Sequence, residues 1–144
     1  CETFTGRQIM QATWQLVLDE FPDGVIKIYK QPVSAIASIS YVDEDGQTQT
    51  VSDSLWESDL NKDPALIRAK ENESWPNTAD QYGAVTIEFT AGYASQDVVP
   101  QSLIRAMLLI ISRLYSTRMD SGMRNSNVRA SEVLMNPYKI NRDA

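Results

Sequence analysis

The side chains able to do chemistry in this 144-residue chain are few, and their spacing suits none of the common reactions. Histidine is absent, which removes the commonest general base and the commonest metal ligand and excludes a Ser–His–Asp arrangement outright. The single cysteine, Cys1, has no imidazole partner to make it a nucleophile. One thiol also permits neither an intrachain disulfide nor a thiolate metal cluster. The densest acidic run is Asp43-Glu44-Asp45, within DEDGQTQTVSDS. A calcium loop needs acids at alternate positions and a distal bidentate Glu, which this segment lacks, so the run is expected to form a hairpin turn. No Gly-rich phosphate loop is present. The expectation is therefore no catalytic residue, no cofactor and no metal.

What the sequence offers instead is apolar surface in unusual places. Residues Pro100 to Arg118 (PQSLIRAMLLIISRLYSTR) predict a helix that is apolar almost all round. Leu103, Met107, Ile110 and Leu114 line one face; Ile104, Leu108, Ile111 and Tyr115 line the next. A surface helix of a small monomer normally carries one apolar stripe and a polar back. Here only Arg105, Ser112, Arg113 and Ser116 clearly call for water. Such a helix needs partners on several sides, from a removed segment, from other copies or from another protein. Its two arginines mark it as buried in protein, and no charge-free run approaches the ~20 residues that span a bilayer.

Charge is divided along the chain. Residues 1–100 hold 6 Lys/Arg against 16 Asp/Glu, and residues 101–144 hold 7 against 3. The acidic body argues against wrapping DNA, because phosphate contacts need clustered cations. An acidic wall can still serve DNA by repelling it.

The elements that must position these surfaces are mainly strands. Met10 to Leu18 alternates with period two, with Trp14 expected in the core. Phe21-Pro22-Asp23-Gly24 reads as a turn, Val25 to Tyr29 as a strand, and Ala35–Val42 with Gln47–Val51 as a hairpin about Asp43–Gly46. Short strands are expected around Trp56 and Leu66–Ala69, on either side of Lys62-Asp63-Pro64. Trp75-Pro76 centres a polar loop, where Trp75 is expected either to pin the loop or to anchor an interface. Val85, Ile87, Phe89 and Ala91 give the last strand. Residues 1–93 are thus a β-rich region, 94–118 a linker and core helix, and 119–144 an extended arm. Met119 to Arg129 lacks any period, and Ala130–Met135 is expected to form one or two helical turns. The arm combines Arg124, Arg129, Lys139 and Arg142 with Val133, Leu134, Met135, Tyr138 and Ile140, a composition suited to docking on another subunit and ordering there.

An ordered series of landmarks carries a resemblance over nearly the whole chain. It runs from Cys1-Glu2-Thr3, Thr5-Gly6-Arg7, Trp14 and Phe21-Pro22 to Pro32-Val33, Ile39-Ser40-Tyr41-Val42-Asp43 and Asp45-Gly46. It continues through Trp75-Pro76, Val85-Thr86-Ile87, Ala91-Gly92-Tyr93, Pro100, Leu114-Tyr115 with Arg118, and Asn136-Pro137-Tyr138. In these the chain resembles the head–tail connector (adaptor) proteins of long-tailed bacteriophages, which also occur in prophages and gene transfer agents. The resemblance implies an α+β fold: a small helical core with an inserted antiparallel β-sheet region, preceded by one or two N-terminal helices. In relatives Thr-Gly-Arg follows a helix, so those helices are expected to be missing from this chain.

The implied role is mechanical. Copies would form a homo-oligomeric ring, a dodecamer, beneath the portal protein, in the virion neck after assembly in the host cytoplasm. The ring would extend the channel through which DNA passes without sequence-specific binding, and would present a surface to a stopper or tail-completion protein. No membrane is implied. The residues assigned to a subunit or portal interface are Arg124, Arg129, Val133, Leu134, Met135, Pro137, Tyr138 and Ile140, with Trp75. Two rival readings stand beside it. A chain that begins with Cys suits a lipidated extracytoplasmic β-rich binding module, and a stopper would share the ring but meet other partners.

Overall fold

Strand β7 (Val85–Ala91) is the centre around which the β region is built. Val85, Ile87, Phe89 and Ala91 are all buried, while Thr86, Glu88 and Thr90 on the other face are half-buried. Strict alternation of this kind commits one face of a strand to a core. In the computed structural model, which describes residues 1–117 and 127–140, β7 lies between β1 (Ala12–Leu18) and β3 (Val33–Val42). With β4 (Thr48–Thr50) they form a four-stranded antiparallel sheet in the order β1-β7-β3-β4. Strands β2 (Ile26–Ile28), β5 (Trp56–Asp59) and β6 (Ala65–Ala69) form a second antiparallel sheet in the order β2-β6-β5.

One buried cluster joins the two sheets. Ile26, Ile28 and Ile67 come from the smaller sheet; Ile39, Val85, Ile87 and Phe89 come from the larger. A second cluster belongs to the helices. It gathers Ile9, Val99, Leu103, Ala106 and Met135 around α2 (Gln101–Thr117) and α3 (Asn127–Met135), with Phe4 of the short α1 (Glu2–Thr5) packed against it.

The fold is α+β, as expected. The hairpin at Asp43–Gly46 forms as expected too. The Asp43 carboxylate accepts hydrogen bonds from the Gln47 N–H (2.8 Å), the Asp45 N–H (3.1 Å) and the Gln49 side-chain amide (3.1 Å), and Gly46 supplies φ +77°. Those donors, led by Gln47 and then Gln49, hold the Asp43 carboxyl below the usual aspartate range.

Trp14 departs from expectation. Leu16 and Leu18 pack against the core, but the Trp14 ring is 39 % exposed, with the Lys30 ammonium 4.4 Å from its centroid. Strand β1 is a sheet edge, so on one flank Trp14 has no neighbouring strand to cover it, and Lys30 shields the ring by a cation–π contact instead. Helix α1 was not legible, because four residues show no period. Helix α3 is longer than the one or two turns expected.

The sheet is stitched to the helical cluster at one end. The Gly92 N–H donates to Pro32 O (2.8 Å), Tyr93 N–H to Ile9 O (2.9 Å) and Gln8 N–H to Gln31 O (2.8 Å). Gly92 has φ +107°, and a Cβ there would lie 2.4 Å from the Met10 carbonyl oxygen. Only glycine permits that approach.

Candidate functional site

Residues 1–9 form the frame of the helical end. Gly6, with φ +74°, closes α1, and its N–H donates to Glu2 O (2.8 Å). The Glu2 carboxylate accepts the Ile9 N–H (2.7 Å), while the buried Thr5 hydroxyl donates to Cys1 O (3.0 Å). Arg7 then ties three parts of the chain. Its Nε donates to Tyr138 O (2.6 Å), and Nη2 pairs with Asp63 in the turn between β5 and β6. The Ile140 N–H donates to Thr5 O (2.9 Å), and the Ser102 hydroxyl meets the Tyr138 hydroxyl at 2.9 Å. Burial pushes the nearby Tyr93 phenol up; Arg7 pulls it down, and Tyr138 adds a smaller upward push.

On this frame α2 turns Leu103 and Ala106 fully inward. The opposite side stays open. Leu108, Ile111, Leu114 and Tyr115 are 59–70 % exposed, and Val133 of α3 and Met10 are exposed as well. Met107 and Ile110 lie between the two faces and, with Ile111, Met10, Ile9 and Cys1, line a shallow groove of about 510 Å³. An exposed apolar stripe of this length is uncommon on a soluble monomer. The helix expected to be apolar almost all round is covered by the other described residues on only one side.

The residues assigned to an interface fall in different places. Val133 and Pro137 are exposed, and Leu134 and Tyr138 are half-buried. Met135 and Ile140 are buried against this chain's own helical end, where they hold α3 to α2 and to α1. Arg124 and the side chain of Arg129 lie outside the described residues, as does most of Met119–Arg129. Trp75 belongs to the other cluster. Its ring stacks on Phe21 at 4.6 Å with an interplanar angle of 1°, so it pins its loop to the sheets. That stack borders a cleft of about 780 Å³ that Glu20, Asp23, Glu44 and Glu73 help to line.

Sequence reasoning missed Tyr82. It is 95 % exposed at the far end of the larger sheet, next in sequence to Gly83, which lies against the exposed Val17. The available signal was a large aromatic between Asp80-Gln81 and Gly83, where no strand or helix could bury it.

Among the described residues no three His, Cys, Asp or Glu side chains gather as a metal site. None of the described helices is long and apolar enough to cross a membrane. The arrangement provides a hydrogen-bonded frame and an exposed apolar face.

No protein-family model matches the chain, nor does any of the curated proteins. Solved structures do. The chain has the fold of a chain in the neck of a native gene transfer agent particle reconstructed with C12 symmetry, at 22 % identity and TM-score 0.77, covering 99 % of this chain and 77 % of that one. A chain in the neck of the empty particle, reconstructed with C6 symmetry, matches at 24 % identity and TM-score 0.77, over 99 % and 72 % of the two chains. A chain of the native virion matches at 22 % identity and TM-score 0.75 over the same shares. At these identities the likeness is one of fold.

Proposed function

We propose that this chain is a structural protein of the neck of a tailed phage or phage-like particle, an adaptor whose copies form a ring beneath the portal. The observation that carries the reading is the fold shared over 99 % of the chain with neck chains of a gene transfer agent particle. The open apolar face of α2 supports it independently, since a subunit of a ring needs surface that a free monomer does not cover. The twelve-fold symmetry of one of those necks agrees with a dodecamer.

In this role the protein does no covalent chemistry. The β region is a rigid spacer, and its acidic surface repels DNA in the lumen instead of retaining it. The helical end supplies apolar contact area for the portal, a neighbouring copy, or the stopper or tail-completion protein. Residues Val133, Leu134, Pro137 and Tyr138, which are at least partly exposed, remain the proposed contacts of the C-terminal segment.

Electron microscopy of particles from a host in which the gene is disrupted tests this directly. DNA-filled or leaking heads beside complete, unattached tails are the expected result. Normal tailed particles would refute the neck assignment. Intact-mass measurement of Cys1 separates the lipoprotein rival, which requires an acylated thiol.

A further inference from the structure

Among the described residues, the exposed apolar face of α2 and the exposed Tyr82 side chain lie at opposite ends of the larger sheet, and their surroundings differ in charge. At one end, Met10 bridges to Tyr93 and the sheet meets the helical cluster. Strand β1 then runs seven residues, about 20 Å at the usual rise, to a far end where Leu18 pairs with Val85.

Tyr82 stands at that far end on a braced loop. The Gly83 N–H donates to the Asp19 carboxylate (2.8 Å), and the Ala79 N–H donates to Val42 O (2.9 Å). A tyrosine 95 % exposed on a fixed loop is preorganised as an anchor, because little ordering is left to do on binding. Its surroundings are acidic, with Asp19, Glu20 and Asp80 lining the same surface. The opposite end presents the apolar stripe of α2 with the exposed Arg105 one turn before Leu108.

We infer that the Tyr82 loop of one copy seats on the outer face of α2 of the next, between Arg105 and Tyr115. The inference rests on the ring reading above and specifies its subunit contact. The occupant is a second copy because this chain itself carries both complementary halves: an aromatic anchor with acidic flanks, and an apolar stripe with a cationic flank. A contact between two different surfaces is heterologous, the kind that builds a ring when the rotation relating neighbours closes on itself.

Cross-linking in assembled particles is the test. Tyr82→Cys and Leu108→Cys are combined in a Cys1→Ser chain and supplied to cells whose own copy is disrupted. Purified particles are treated with a short bis-maleimide. The double variant is expected to give a ladder of this chain extending beyond the dimer, and neither single-cysteine variant is expected to give one. A neck that contains this chain but yields no ladder overturns the inference, and means that another protein or segment covers α2. Dimers from either single variant overturn it as well, since they indicate a two-fold contact. Wild-type necks that lack this chain refute the neck assignment itself, so the two failures are distinct.

Tyr82→Ser provides a second readout. The side chain touches almost nothing in its own chain, so circular dichroism and the urea midpoint are expected to stay as in wild type. Occupancy of the neck is expected to fall at least tenfold, and unchanged occupancy overturns the inference.

Discussion

Two leucines on the same helix should respond very differently to truncation. Leu103 is 0 % exposed, enclosed by the cluster that includes Ile9, Val99 and Met135. Leu103→Ala removes three buried carbons, about 2.4 kcal/mol of transfer free energy at about 0.8 kcal/mol each, and the cavity left behind raises the cost to about 3–4 kcal/mol. Leu108 is 59 % exposed, so Leu108→Ala forfeits about 1 kcal/mol at most, and alanine's helix propensity returns part of that. Urea unfolding followed by far-UV circular dichroism reads both. With an m-value of about 1.5 kcal/mol per molar, Leu103→Ala lowers the midpoint by about 2 M and Leu108→Ala by about 0.6 M or less. A Leu108→Ala penalty equal to that of Leu103→Ala would show that the outer face of α2 is packed within the single chain. The case for that face as a contact surface would then fail.

Other substitutions probe the frame. Arg7→Ala leaves Tyr138 O and Asp63 without their donor and should cost about 1.5 kcal/mol, the exposed Asp63 side adding little. Amide exchange at Ile140, whose N–H reaches Thr5 O, should accelerate in the same variant. Gly92→Ala puts a methyl against the Met10 carbonyl at φ +107° and should cost at least about 3 kcal/mol, seen as loss of soluble protein or of the cooperative transition. Asp43→Asn should destabilise the hairpin at neutral pH. Because the folded carboxyl pKa lies below its ordinary value, that contribution is complete above the ordinary aspartate pKa and disappears as pH falls through the folded one. Wild type and variant should therefore converge in acid, and a gap that widens there would contradict the assignment.

Much of the fold was legible because local rules agreed with the tertiary outcome. Alternation at Val85, Ile87, Phe89 and Ala91 located β7, and Asp43–Gly46 carried turn chemistry that needs no distant partner. Trp14 was misplaced for a reason alternation cannot correct: period two says which residues share a face, but not whether the strand stands at an edge. Met135 and Ile140 looked like free anchors in a terminal arm. They are buried because residues 1–9 form a seat for them, through Thr5 and Arg7, more than a hundred positions away. Tyr82 carried no periodic signal at all; its exposure depends on how Asp19 and Val42 hold the loop.

By itself, the sequence determined the material and its sign. Without histidine and with one thiol, imidazole-based catalysis and thiolate metal clusters are excluded, and a helix greasy on two faces demands company. It also set an acidic body against a basic end. Only the tertiary structure decided which apolar residues the chain uses for itself and which it leaves over. That division turns on long-range backbone bonds and on the direction each helix face takes after packing, which short-range periodicity does not encode. Leu103 went inward and Leu108 outward because α3 and the N-terminal residues cover one side of α2.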